Sequence, residues 1–144
     1  MELDRERALA LLYEYTASES LRKHALSVEA AMAFYAGKFG QDPLLWGITG
    51  LLHDFDYEKY PTAEEHPYVG NRILRELGYP EEMLEAIMGH AKYTGVERKS
   101  LLAKALFACD ELCGLVTASV LVRPDRSIEG LEPRSVRKKM KDKA

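Results

Sequence analysis

The chain has 144 residues, of which 47% are hydrophobic and 30% charged, with a formal net charge of −3. That length supports one hydrophobic core and a single domain over 1–144, and the composition is that of a globular chain rather than a disordered one. The charge balance supplies no basic field for duplex nucleic acid, and no run reaches the roughly 18 apolar residues of a membrane span, so neither is an expected partner.

The opening "MELDRERALA" lacks the basic-then-apolar pattern of a secretory signal, and there are two cysteines; together these predict a reducing, cytoplasmic setting. Helical periodicity then runs through nearly the whole chain. Residues 4–15 place Leu9, Leu12, Tyr13 and Tyr15 at or near spacings of three or four, predicting a first helix. "TASE", Thr16 to Glu19, has the form of a capping box that starts a second helix running to about Lys38. Its apolar stripe carries Leu21, His24, Ala25, Val28, Ala31, Met32 and Tyr35. Gly40 ends it, and Asp42-Pro43 supplies an N-cap and an N1 proline for a third helix from about Leu44 to His53.

From Asp54 to Glu65 the pattern lapses into acids and tyrosines and reads as a loop. A fourth helix is expected from about Pro67 to Leu77, with Gly78 at C′, and a fifth from Pro80 with acids in its first turn. After the loop "AKYTGVERK", Ser100 is placed to cap a long, almost wholly apolar sixth helix. A short basic helix is expected over about 133–144. The final "SVRKKMKDKA" carries no obvious cap, which predicts that the natural chain continues past Ala144. Nothing alternates with period two over five residues, so the expected fold class is all-α, a compact bundle of about six to seven helices.

The four histidines, His24, His53, His66 and His90, each fall on an inward helix face or at a helix end. Asp110 interrupts the buried-looking "LLAKALFACDELCGLV", where a carboxylate is costly unless a partner or a metal balances its charge. It shares a helix face with Leu106, Phe107 and Cys113, so Asp110 rather than Glu111 is assigned inward. Imidazole nitrogen and carboxylate oxygen together suit zinc, iron, manganese and related divalent ions. Residues 54–66 add Asp54, Asp56, Glu58, Glu64 and Glu65 against Lys59 alone. The cluster is therefore expected to hold one or two metals. Cys109 and Cys113 read as small buried residues. Tyr57, Tyr60, Tyr68, Tyr79 and Tyr93 read as exposed residues near the ligand-bearing loops.

The order of these motifs resembles the HD-domain superfamily of metal-dependent phosphohydrolases. It is carried by His24 in "LRKHALSVE", His53-Asp54 in "GLLHDFDYE" and Asp110 in "ALFACDEL", over a core of roughly residues 20–120. The resemblance implies a compact all-α fold in which His24, His53, Asp54 and Asp110 bind a metal. "HPYVGNRIL" and "AIMGHAKYTG" resemble a subset with two further histidines, which implies a second metal at Asp54, His66 and His90. The implied ions are divalent: Mn, Fe, Zn, Mg, Ni or Co.

Many relatives with two metals carry Gly and Lys two and three positions after the Asp of the pair, where this chain has Asp56 and Tyr57. The Gly-Tyr-Pro signature of cyclic-dinucleotide phosphodiesterases is not in place, and that activity is not assigned. What the resemblance implies is hydrolysis of a small phosphorylated compound, a nucleotide among the candidates, by a metal-activated water, with Asp54 catalytic. Lys92 and Arg22 are the candidates for holding the substrate phosphate. Two alternatives share the scaffold: a di-iron oxygenase acting on a small polar substrate, and a non-catalytic helical scaffold stabilised by metal.

Overall fold

Side-chain caps decide where most of the helices begin. The structure is a computed structural model that describes residues 1–142, and among these it contains seven α-helices and no strand. They are α1 (Arg5–Tyr15), α2 (Glu19–Lys38), α3 (Pro43–Leu52), α4 (Tyr68–Glu76), α5 (Glu81–His90), α6 (Leu101–Leu121) and α7 (Pro133–Asp142), with a 3₁₀ turn at Lys92–Thr94. The last two residues of the expected basic helix lie outside the described residues. Asp4 accepts from the N–H groups of Glu6 and Arg7, Asp42 from Leu44, and Ser100 from Ala103, each satisfying donors that a helix start leaves open.

The capping box expected at "TASE" does not form. Ser18 is the N-cap of α2 and accepts from the Leu21 N–H, while the buried Thr16 hydroxyl donates to the Phe55 carbonyl at 3.0 Å. Glu58 completes this junction by accepting from the N–H groups of Ala17 and Ser18 at 2.7 and 2.8 Å. A tertiary contact has claimed the hydroxyl that local pattern reserved for the helix. As a result the stretch after α3 is not a free loop. It is a run of turns pinned to the α1–α2 corner, with Phe55 buried edge-on against Tyr15.

At the end of α4, Gly78 adopts φ +89. Its N–H donates to the Arg75 carbonyl and that of Tyr79 to Leu74, the double bond of a Schellman turn. The turn delivers Tyr79 into the core, so Tyr79 is not one of the exposed tyrosines the sequence suggested.

The core is built where α2 crosses α3. Val28 and Met32 of α2 meet Ile48, Leu51 and Leu52 of α3, all essentially inaccessible. Gly50 permits this approach, since a Cβ there would lie 2.9 Å from the backbone carbonyl of Val28. The long α6 packs on both α2 and α5, α1 covers α3, and α7 lies against α6 with Val136 buried. No helix among the described residues is long and apolar enough to cross a membrane.

Candidate metal centre

Five segments deliver six side chains to one place. His24 projects from the second turn of α2 and Asp110 from the middle of α6, and the packing of these helices sets His24 Nε2 2.8 Å from Asp110 Oδ1. His53 is the C-cap of α3, and Leu51 and Leu52 before it are fully buried, which anchors the helix end. His53 itself is wholly inaccessible, with Nε2 3.3 Å from Asp110 Oδ1 and 3.4 Å from Asp54 Oδ2. His66 enters from the turn before α4 and His90 from the last residue of α5, and their Nε2 atoms lie 3.1 and 3.0 Å from Asp54 Oδ1.

The donor atoms form two sets, each within 4.8 Å of one another: His24, His53, Asp54 and Asp110 in one, Asp54, His66 and His90 in the other. Asp54 belongs to both. One of its oxygens faces His53 and the other faces His66 and His90, which is the disposition of a carboxylate able to bridge two cations.

The chemistry of the donors fits a metal. Nδ1 of His53 donates to the Gly50 carbonyl, Nδ1 of His90 to that of Ile87, and Nδ1 of His66 to Asp56. With the proton on Nδ1, a neutral ring turns an Nε2 lone pair toward the carboxylates, acceptor against acceptor. Such a cluster holds together only with extra protons or with cations between the groups. In the metal-free protein the protons take that part. For His66, burial disfavours the charged ring, but hydrogen bonds and charges from Asp54 and Asp56 outweigh it and lift the ring to about 9. His53 is raised in the same way by Asp54 and Asp110 against complete burial. Burial works against ionised Asp54 and Asp110 too, yet their histidine partners hold both below the usual carboxylate range.

Asp56 is the residue beside this cluster that sequence reasoning left among loop acids. Its carboxylate is 1% exposed, accepts from His66 Nδ1 at 2.6 Å and from the Gly70 N–H at 2.9 Å, and so holds the ring that faces Asp54. The signal lay in "HPYVG": the glycine four residues after His66 is where a backbone N–H reaches a buried carboxylate with no Cβ in the way. Tyr57, exposed, stands edge-on to the His66 ring, and the Tyr93 hydroxyl donates to the His66 carbonyl.

Of the two expected phosphate-binding residues, Arg22 is not brought to the cluster. Its Nε donates to the Thr16 carbonyl at 2.5 Å and its guanidinium lies over Tyr13 with a second bond to that residue's carbonyl, so it closes the C-terminus of α1. Lys92 is exposed, with its ammonium 5.4 Å from the centre of the Phe107 ring, one helical turn before Asp110. Arg98 packs on the same ring and donates to the Gly89 carbonyl. Cys109 and Cys113 are buried and belong to neither donor set. On the open side of the cluster, His24 and Asp110 line a groove of about 480 Å³ between α2 and α6, with Gly114, Leu115 and Ala118 along it.

Sequence comparison agrees with this architecture. The chain is 29% identical over 130 residues to Uncharacterized protein MJ0778 of Methanocaldococcus jannaschii, covering 87% of this chain and 75% of that one. No solved structure gives a significant match. The family model of the HD domain matches residues 21–115, a span that begins just before His24 and closes just after Asp110. The chain belongs to the HD-domain family, a superfamily of metal-dependent, hydrolase-like proteins.

Proposed function

We propose that this protein is a metal-dependent phosphohydrolase acting on a small phosphorylated compound. The observation that carries the reading is the split of Asp54, whose two oxygens face two different sets of imidazole nitrogens. When bound, divalent ions at such a site supply a nucleophilic water at neutral pH and offset charge on phosphoryl oxygens. The chain's own residues do the rest. Asp54 links the two sets, with its oxygens within 3.4 Å of the Nε2 atoms of His53, His66 and His90. His53, His66 and His90 are held by their Nδ1 bonds so that Nε2 alone faces inward.

His24, Asp54 and Asp110 are the cluster's partly exposed members, with side chains 23, 27 and 24% accessible, so substrate approaches on their side. The groove beside His24 and Asp110 then receives the part of the substrate that is not phosphate. Lys92, exposed and beside the α6 face that carries Asp110, is assigned to the phosphate.

The test is phosphate release from a panel of phosphomonoesters, after reconstitution with Mn²⁺, Fe²⁺, Co²⁺, Ni²⁺ or Zn²⁺. Asp54→Ala is expected to abolish turnover, and Lys92→Ala to raise KM with a smaller change in kcat. Arg22→Ala should leave both near wild type. Metal-loaded protein that consumes dioxygen and releases no phosphate, or an Asp54→Ala variant with full phosphatase activity, refutes the proposal.

A further inference from the structure

We infer that Asp56 and Gly70 form a lock that positions His66, and that this lock is what equips the chain to hold a second metal at Asp54, His66 and His90. The inference rests on the metal-centre reading but not on hydrolysis. Three observations carry it. The His66 main chain is held independently of its ring: its N–H donates to the Thr62 carbonyl at 2.8 Å, and its carbonyl accepts from the Tyr93 hydroxyl. What remains free is rotation of the ring and the choice of which nitrogen carries the proton. Asp56 settles both, because an ionised carboxylate can only accept, which keeps hydrogen on Nδ1 and leaves Nε2, 3.1 Å from Asp54, as the nitrogen whose lone pair is offered once its own proton is displaced.

Asp56 is in turn held by Gly70. Its second oxygen accepts from the Gly70 N–H, and the carboxylate lies so close that a Cβ on residue 70 would sit 2.7 Å from Asp56 Cγ and Oδ2. Glycine is required by space here. Carboxylate, ring and glycine thus form one buried unit, and no buried side-chain polar atom among the described residues is left without a partner. The sequence pattern follows from the unit: Asp56 comes two residues after Asp54 and Gly70 four after His66, so the residues that hold the ring travel with the ligands.

Two variants disturb the lock by different physics. Asp56→Asn keeps the shape but offers one acceptor oxygen in place of two. If its oxygen faces His66, its NH₂ opposes the Gly70 N–H. If reversed, the NH₂ donates to Nδ1 and drives the ring proton onto Nε2, where the metal must bind. Gly70→Ala changes no charge and pushes the carboxylate off the ring. Titration with Zn²⁺, with bound metal counted by elemental analysis, is expected to give two metals per chain for wild type. For both variants the second metal should bind about 10–100-fold more weakly, the usual effect of losing an outer partner of a metal-ligating histidine, while the first metal at His24, His53, Asp54 and Asp110 stays.

That retained first metal also reports that the variants have folded. Two tightly bound metals in both variants would overturn the lock, and a wild type that binds no Zn²⁺ would overturn the metal centre beneath it. Should both variants fail to fold, ¹⁵N-histidine NMR of the Zn²⁺-loaded wild type decides the matter. His66 protonated at Nδ1 supports the inference, and His66 protonated at Nε2 refutes it.

Discussion

Gly50→Ala separates the contribution of helix packing from that of the ligands themselves. The new Cβ would lie 2.9 Å from the carbonyl carbon and oxygen of Val28 and 3.1 Å from the Glu29 nitrogen. Carbon atoms in contact sit about 3.5–4.0 Å apart, so the overlap is roughly half an ångström or more. The obstacle is backbone, so no rotamer change relieves it, and α2 and α3 must part. Overpacking of this kind costs about 1–3 kcal/mol, while replacing glycine by alanine within a helix returns up to about 1 kcal/mol. Net destabilisation is then about 0–3 kcal/mol, up to about ten degrees in Tm for a chain of this size.

The metal centre is less forgiving. Metal–ligand distances tolerate about ±0.2 Å, and the first donor set spans the two helices being separated, with His24 on α2 and His53 at the end of α3. Affinity at that set is expected to fall about tenfold or more, comparable to losing an outer partner of a ligand. The set of Asp54, His66 and His90 draws nothing from α2 and should weaken less. Zn²⁺ titration of variant and wild type, beside thermal melts, measures both effects. Unchanged affinity at the first set in a variant with the wild-type fold would refute the claim that this crossing sets the ligand geometry.

Two further outcomes follow from the titrating groups. In the metal-free protein His66 is raised above its unfolded value, so its stabilisation is complete below about pH 6.5 and is lost as pH rises through about 9. Metal must displace that proton, and the one on the similarly raised His53, so apparent metal affinity should climb with pH up to about 9 with protons released on binding. Calorimetry in buffers of different ionisation enthalpy checks this, and flat affinity between pH 6.5 and 9 with no proton release would contradict it. Burial pushes the Cys109 thiol up to about 11 and raises Cys113 as well, so both should react slowly with thiol reagents in the native state. Replacing both by alanine should leave the metal count unchanged, and a lost metal would place sulfur in the centre.

Local pattern determined much of this protein by itself. Asp42-Pro43, Ser100 and Gly78 act through their immediate neighbours, so the starts of α3 and α6 and the end of α4 are legible from single residues. Helical periodicity over long windows made the all-α class equally plain. The ligand residues were legible because histidines at helix ends, and an aspartate on a buried helix face, are costly unless they meet something. Tertiary structure alone decided which partner each polar group took. Thr16 has a capping residue's sequence context but gives its hydroxyl to Phe55, 39 residues away. Arg22 is close to His24 in sequence, yet its side chain closes α1 instead. Asp56 resembles its exposed acidic neighbours until the fold brings Gly70 and His66 against it, and only then does it become a buried acceptor that aims a ring. Periodicity reports which face of an element is buried. It carries no information on which distant donor arrives there, and that choice gives the cluster its two-sided geometry.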